Sequence, residues 1–214
     1  MIKSPKKTPM VTEKGLAMWA FVSEPDKRWK PEGEYKVNLV MEPGKATSKL
    51  IADLEAVRDE YYDLLVKELK PAQAKKLNKR EVYSDFLDAD GEETGNFEFK
   101  FGCNAAGKRK DGTEWTARVG IFDSRAKKIT ENINVGNNSV IQVDFTPAAY
   151  RLNTDNSVGV KCYLNNVMIH KLVEFGGTPA FVASEDKDGF TYDEGGDPNA
   201  GFTPAAAGGD DVNF

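Results

Sequence analysis

The chain is poor in the residues that most chemistry needs. Its 214 residues include two cysteines, Cys103 and Cys162, and one histidine, His170. A disulfide-dense secreted scaffold requires more cysteines. Three Cys/His positions cannot close a structural zinc site without a carboxylate. A His-based triad would have to use His170, and no G-x-S-x-G element accompanies it. No stretch approaches the about 18 apolar residues of a membrane-spanning helix. The opening MIKSPKKTPM is basic but lacks the apolar segment of a signal peptide. Neither a GxxxxGK[ST] phosphate loop nor a dinucleotide fingerprint occurs. The run Asp88-Ala89-Asp90-Gly91 lacks the downstream glutamate of a calcium loop and reads as a polar turn. These absences point to a cytoplasmic chain with two free thiols, no cofactor, no metal and no catalytic residue.

Charge is present but unevenly spread. The net charge is -5. Residues 174–214 hold nine acids against the single base Lys187, so this segment carries -8 and the remainder +3. A slightly basic body with an acidic tail points to nucleic acid or to a regulated basic surface. From Gly176 onward the sequence is rich in Gly, Ala, Pro and Asp, without a useful period, and reads as disordered. It closes on Asp210, Asp211 and a terminal Phe214. A ring beside two acids and a free carboxylate suits a pocket with a basic rim, so these three residues are the candidate partner-binding tip. Such a flexible tail is also expected to compete for a basic groove on the body.

The body reads mainly as strands. Segment 15–22 is one. Segment 34–41 is another, with Tyr35, Val37, Leu39 and Met41 on one face. Leu50, Leu54, Val57, Tyr61, Leu64, Leu65 and Leu69 recur at spacings of three and four, predicting an amphipathic helix over about 47–69 that stops before Pro71. Ala72 to Gly95 is read as a short helix and loop. Phe97, Phe99 and Phe101 alternate with Glu98 and Lys100. Segments 115–122, 140–146 and 158–173 complete the set, the last with a bulge near Asn165-Asn166, where the apolar parity shifts. Strands dominate and no βαβ rhythm appears. The expected fold is therefore an OB-fold, a partly open barrel of five to six strands with one inserted helix. Residues 1–177 form this domain and residues 178–214 the tail.

Bases stand beside aromatic residues at Arg28-Trp29-Lys30, Tyr35-Lys36, Phe99-Lys100-Phe101 and Tyr150-Arg151. Lys108-Arg109-Lys110 and Arg125-Ala126-Lys127-Lys128 add two basic loops. Single-stranded nucleic acid needs rings to stack on bases and cations to track phosphates. Tyr150 and Trp29 are the candidates for stacking. Arg28, Lys100, Arg118, Arg151, Lys127, Lys128, Lys108, Arg109 and Lys110 are the candidates for phosphate.

Several short pieces occur in an order that resembles the single-stranded-DNA-binding proteins of tailed bacteriophages. They are Gly33-Glu34-Tyr35-Lys36-Val37, Phe99-Lys100-Phe101, Asp123 to Lys128, Tyr150 to Thr154, Asn166-Val167-Met168 and Glu174-Phe175-Gly176-Gly177. The likeness spans roughly residues 18–177 and the C-terminal tip. It implies an OB-fold that coats exposed single strands without sequence specificity during replication and recombination. It also implies recruitment of polymerase, helicase or primase through the acidic tail; a homodimer is left open. The chain departs from the family's pattern at Gly102-Cys103-Asn104 and Leu152, where an aromatic is common, and its tail is more dilute in acid. The alternatives are a small metal-dependent nucleic-acid or nucleotide hydrolase, and a protein-only β-barrel adaptor.

Overall fold

A computed structural model describes residues 8–174 of the chain. In chain order its elements are β1 (Met10–Val11), β2 (Gly15–Asp26), β3 (Glu34–Met41), α1 (Lys45–Glu68), α2 (Pro71–Ala74), β4 (Asn78–Lys79) and β5 (Ser84–Leu87). There follow β6 (Glu93–Asn104), β7 (Ala106–Lys108), β8 (Glu114–Thr116), β9 (Gly120–Phe122), β10 (Val140–Leu152) and β11 (Ser157–Lys171).

Five long strands close on themselves. β2 pairs antiparallel with β3, and β3 with β6. β6 meets β11 in parallel at Phe101 and Cys162. β11 runs antiparallel along the length of β10. β10 returns to β2 through Val140–Leu16 and Ile141–Gly15. The order first-second-third-fifth-fourth around the barrel, with one parallel seam, is that of an OB-fold. The remaining strands decorate it. β1 extends β10, β4 and β9 lie parallel to β11, and β5 edges β6. β7 and β8 form a separate hairpin.

Alternation explains the barrel interior. Tyr35, Val37, Leu39 and Met41 of β3 all point inward and are buried, as are Ile141, Val143 and Phe145 of β10. The Phe97-Phe99-Phe101 face also points inward, and Phe101 meets Phe145 edge-on with ring centroids 4.9 Å apart. β11 keeps its apolar residues inside over 15 residues only by a bulge. Asp144 pairs with Asn166 and Phe145 with Leu164, which leaves Asn165 as the extra residue. Its amide donates to Asp144 Oδ1 and Thr146 Oγ1 at 3.1 and 3.0 Å.

The helix follows its apolar stripe. Thr47, Leu50, Leu54, Arg58, Tyr61 and Leu65 are buried at spacings of three and four. Full burial of Leu54 alone stabilises by about 1.5–3 kcal/mol. Tyr61 and Leu65 pack with Leu77, Ala149 and Val158, which lays α1 against β10 and β11. Arg58 is the charged residue in the stripe. Its guanidinium donates to Arg80 O, Asp59 Oδ1 and Glu55 Oε1 at 2.9–3.0 Å, so its charge is matched where it is buried. Leu69 turns the chain to extended geometry and Pro71 prevents continuation.

Two local expectations are corrected. Segment 115–122 is not one strand. β8 belongs to the hairpin and β9 to β11, because Ala117 N donates to Ala105 O and draws the intervening residues back to the hairpin base. The alternation of Trp115, Ala117, Val119 and Ile121 therefore spans two unrelated pairings. Segment 72–95 contains the short helix α2, but also β4, whose partner β11 lies far along the chain, and β5, which forms a hairpin with the start of β6.

Cys162 is buried and Cys103 half-buried, both as free thiols. His170 is partly buried with Nε2 2.6 Å from Gln142 Oε1, and burial followed by nearby Lys14 lowers its pKa. Asp88 accepts from the Asp90 and Glu92 amides, as a polar turn requires. Among the described residues no helix is long and apolar enough to cross a membrane. The expectations for the tail, including Asp210, Asp211, Phe214 and the boundary at 178, lie outside the described residues.

Candidate nucleic-acid interface

The outer surface of β2, β3, β6 and β11 gathers cations and rings. Its first cluster is built on Asp26, the last residue of β2. The Asp26 carboxylate is buried and accepts from Arg28 Nε and Nη2 at 2.9 Å each, from the Arg28 amide at 3.0 Å, and from Lys36 Nζ at 2.6 Å. Those bonds, Arg28 first and Lys36 next, hold its pKa well below the ordinary carboxylate range. The acid lies underneath and the cations on top: the side chain of Asp26 is 3% exposed, that of Arg28 65%. Both cations flank one ring, with Arg28 Cζ 5.0 Å and Lys36 Nζ 5.1 Å from the Phe21 centroid.

Phe21 faces outward because β2 carries a bulge. Met18 pairs with Asn38 and Phe21 with Lys36, which leaves an extra residue between them. Trp19 takes it up at φ 53° and remains 61% exposed. A bulky residue rarely adopts that conformation, and here the Trp19 amide is held by Asn137 Oδ1 at 2.9 Å.

The second cluster repeats the pattern around Glu34. Lys30 Nζ lies 2.9 Å and Lys161 Nζ 3.9 Å from its carboxylate. Lys161 also stands 5.3 Å from the centroid of the Tyr163 ring, two residues along the same face of β11. Between the clusters, Lys36 pairs across the sheet with Gly102, where a Cβ would come within 3.2 Å of Tyr35 O. Lys100 completes the row, 68% exposed and 3.3 Å from Glu98. The face thus presents Arg28, Lys30, Lys36, Lys100 and Lys161 above Asp26, Glu34 and Glu98.

The residues expected from the sequence distribute around this face. Arg28 and Lys100 lie on it. Trp29 sits in the loop between β2 and β3, 87% exposed, with Gly33 at φ 80° closing the turn onto Lys30 O. Tyr150 is half-exposed, and its ring covers Gly159, two positions before Lys161 on the outer face of β11. Arg151 is turned aside: it donates to Asn156 Oδ1 at 2.7 Å, with its Nε buried and unpartnered. Arg118 and Lys128 line a cleft of about 610 Å³ with the end of β2. Lys127 is in the turn that Asp123 shapes by accepting from the Lys127 and Arg125 amides, bonds that lower the Asp123 pKa. Lys108 begins the tip of the β7–β8 hairpin, 3.1 Å from Glu114, followed by Arg109 and Lys110.

Sequence reasoning missed Phe21, Lys161 and Tyr163 and did not select Lys36. The pairing of neighbours had suggested Tyr35-Lys36 and Phe99-Lys100-Phe101, but consecutive strand residues point to opposite sides. Tyr35, Phe99 and Phe101 are buried while their basic neighbours face out. The usable signal was instead spacing by two, as in Lys161 and Tyr163.

A five-stranded OB barrel with a cationic, ring-bearing outer face places the chain among OB-type proteins of the nucleic-acid-binding class. Comparison narrows the class. The family model for the single-stranded DNA-binding protein of bacteriophage T7 matches residues 15–172. The single-stranded DNA-binding protein of Enterobacteria phage T3 is 30% identical over 172 residues, covering 74% of this chain and 73% of that protein. The one from Escherichia phage T7 is 27% identical over the same shares. The crystal structure of the bacteriophage T7 single-stranded DNA-binding protein superposes with a TM-score of 0.66 at 24% identity, covering 88% of this chain and all of that one, and shares the fold. The chain belongs to the bacteriophage T7 single-stranded DNA-binding protein family.

Proposed function

We propose that this chain coats exposed single-stranded DNA without sequence preference during replication, recombination and repair of phage DNA, and catalyses no reaction. The observation that carries the reading is the outer face itself. Five cations lie above three partly sheltered carboxylates, interleaved with the Phe21 and Tyr163 rings. Cations of this kind track phosphates of any sequence, and a ring stacks on any base. Arg28, Lys100 and Tyr150 act on this surface, Trp29 and Arg118 at its margins, Arg151 near the end of β10, and Lys127, Lys128 and Lys108 to Lys110 on the flanking turn and hairpin. Asp210, Asp211 and Phe214 recruit the replication proteins.

Binding of fluorescent oligo(dT) at two salt concentrations tests the reading. Salt-sensitive binding shared by mixed-sequence oligonucleotides is expected; absence of binding, or magnesium-dependent loss of the oligonucleotide, overturns it. Deleting Phe214 is expected to leave oligo(dT) affinity unchanged and to weaken capture of the phage polymerase or helicase. Equal capture by both forms would remove the tail tip from recruitment.

A further inference from the structure

A cavity of about 630 Å³ opens where the β7–β8 hairpin approaches β11, lined by Trp115, Arg118, Lys161, Tyr163, Asn104 and Asn165 among others. Its size is that of a small-ligand site. Its lining combines two rings with two cations and two carboxamides. We propose that this cavity receives one unstacked nucleobase of the bound strand, with Trp115 as the stacking surface and Arg118 and Lys161 on the flanking phosphates. The inference rests on the proposed strand-coating function and assigns it a base site away from Trp29 and Tyr150.

The Trp115 ring is set in advance. Trp115 pairs across the hairpin with Gly107. A Cβ at Gly107 would come within 2.8–3.1 Å of Cζ2, Cε2 and Nε1 of the indole, so the ring lies directly on bare backbone. Nothing larger than glycine permits that approach, and the contact holds the ring while the side chain also lines the cavity. A ring already held loses little further freedom on stacking. The phosphate partners are placed independently. Lys161 is 42% exposed and 3.9 Å from Glu34, too far for a firm commitment to that carboxylate. Arg118 lines both this cavity and the cleft beside the end of β2, so it joins the base site to the cationic face. A nearby amide suits the purpose too: Asn104 Oδ1 accepts from Lys30 Nζ at 3.5 Å, a long contact that a base edge can replace.

The test uses the full chain carrying Trp19→Phe and Trp29→Phe, which leaves Trp115 as its single tryptophan. Oligo(dT) is titrated with two readouts, Trp115 emission and the anisotropy of a labelled oligonucleotide. Quenching of Trp115 that saturates with the anisotropy is expected. In the otherwise unaltered chain, Trp115→Ala is expected to weaken oligo(dT) binding about 5- to 150-fold, the range of one lost base stack. Trp115→Phe should retain most of the affinity. Gly107→Ala, which displaces the ring without removing it, should lose affinity with the fold intact by circular dichroism. Anisotropy showing binding while Trp115 emission stays constant overturns the base site and leaves the strand-coating function standing. Unchanged affinity in both Trp115→Ala and Gly107→Ala does the same. Absence of oligo(dT) binding in the unaltered chain overturns both.

Discussion

Replacing Lys100 and Lys161 together by glutamine removes two cations from the outer face without disturbing what lies beneath. Glu98 keeps the Asn38 amide at 2.8 Å and the Ser84 hydroxyl at 3.3 Å. Glu34 keeps Lys30 at 2.9 Å. Both lysines are substantially exposed, so folding should be unaffected. The five cations against three carboxylates become three against three, and the face loses its excess charge. Each phosphate contact on a single strand contributes about 0.7 to the slope of log affinity against log salt. Losing two contacts flattens the slope by about 1.4. Over a fourfold rise in salt, from about 50 to about 200 mM, the affinity advantage of the unaltered chain then shrinks by about sevenfold. Anisotropy titrations of oligo(dT) at four or five salt concentrations measure this directly. The control is Lys49→Gln with Lys67→Gln, an equal charge change on α1. Equal slopes in the unaltered chain and the Lys100/Lys161 variant would refute phosphate contact at this face. An equal flattening in the control would reduce the effect to net charge.

Tyr150→Ala should weaken oligo(dT) binding by about 1–3 kcal/mol if one base stacks there. Gly159→Ala, whose methyl group would meet the ring at 2.9 Å, should share the defect; two variants binding like the unaltered chain would take Tyr150 out of the site. Phe145→Ala empties the middle of the barrel beside Phe101 and should cost about 3–5 kcal/mol in urea unfolding, with a loss below about 1.5 kcal/mol speaking against its packing role. Burial pushes the Cys162 thiol from an ordinary 9.0 up to about 12. The folded chain therefore keeps that proton after the unfolded chain has lost it, so this contribution to stability is intact below about pH 9 and fades as the pH climbs toward about 12. Between about pH 9 and 10.5 the stability of the unaltered chain should fall relative to Cys162→Val by roughly 2 kcal/mol, and parallel pH profiles would refute the assignment.

Most of the barrel was legible because its strands bury one face. Segment 34–41 carries an unbroken alternation and coincides with β3, and the parity break near Asn165 is the observed bulge. The helix was readable from its period, although Arg58 occupies a stripe position that a hydropathy pattern passes over and only its three acceptors explain. Segment 115–122 misled because alternation says that a residue faces something, not which strand it faces. The interface was harder to read for a related reason. Its ring and cation pairs are made across strands, as between Phe21 and Lys36, or at spacing two, as between Lys161 and Tyr163. Phe21 in particular depends on the bulge at Trp19, since strict alternation from Ala17 would have turned position 21 into the barrel.

The extra residue in β11 bears on how chain length can vary within the family. Leu164 and Val167 both point inward although three positions separate them. Excision of Asn165 would set them two apart, which ordinary pleating accommodates with both still inside. A one-residue gap in the middle of this long strand is thus compatible with an intact barrel, whereas the same gap between Val158 and Leu164 would turn every residue on one side of it outward. Length differences among related chains ordinarily collect in loops such as the β7–β8 tip. Here a strand offers one more place for them, and a related chain lacking the residue should show a straighter β11 in which the counterpart of Asp144 keeps the Asn166 amide on Oδ2 and loses only the Asn165 amide on Oδ1.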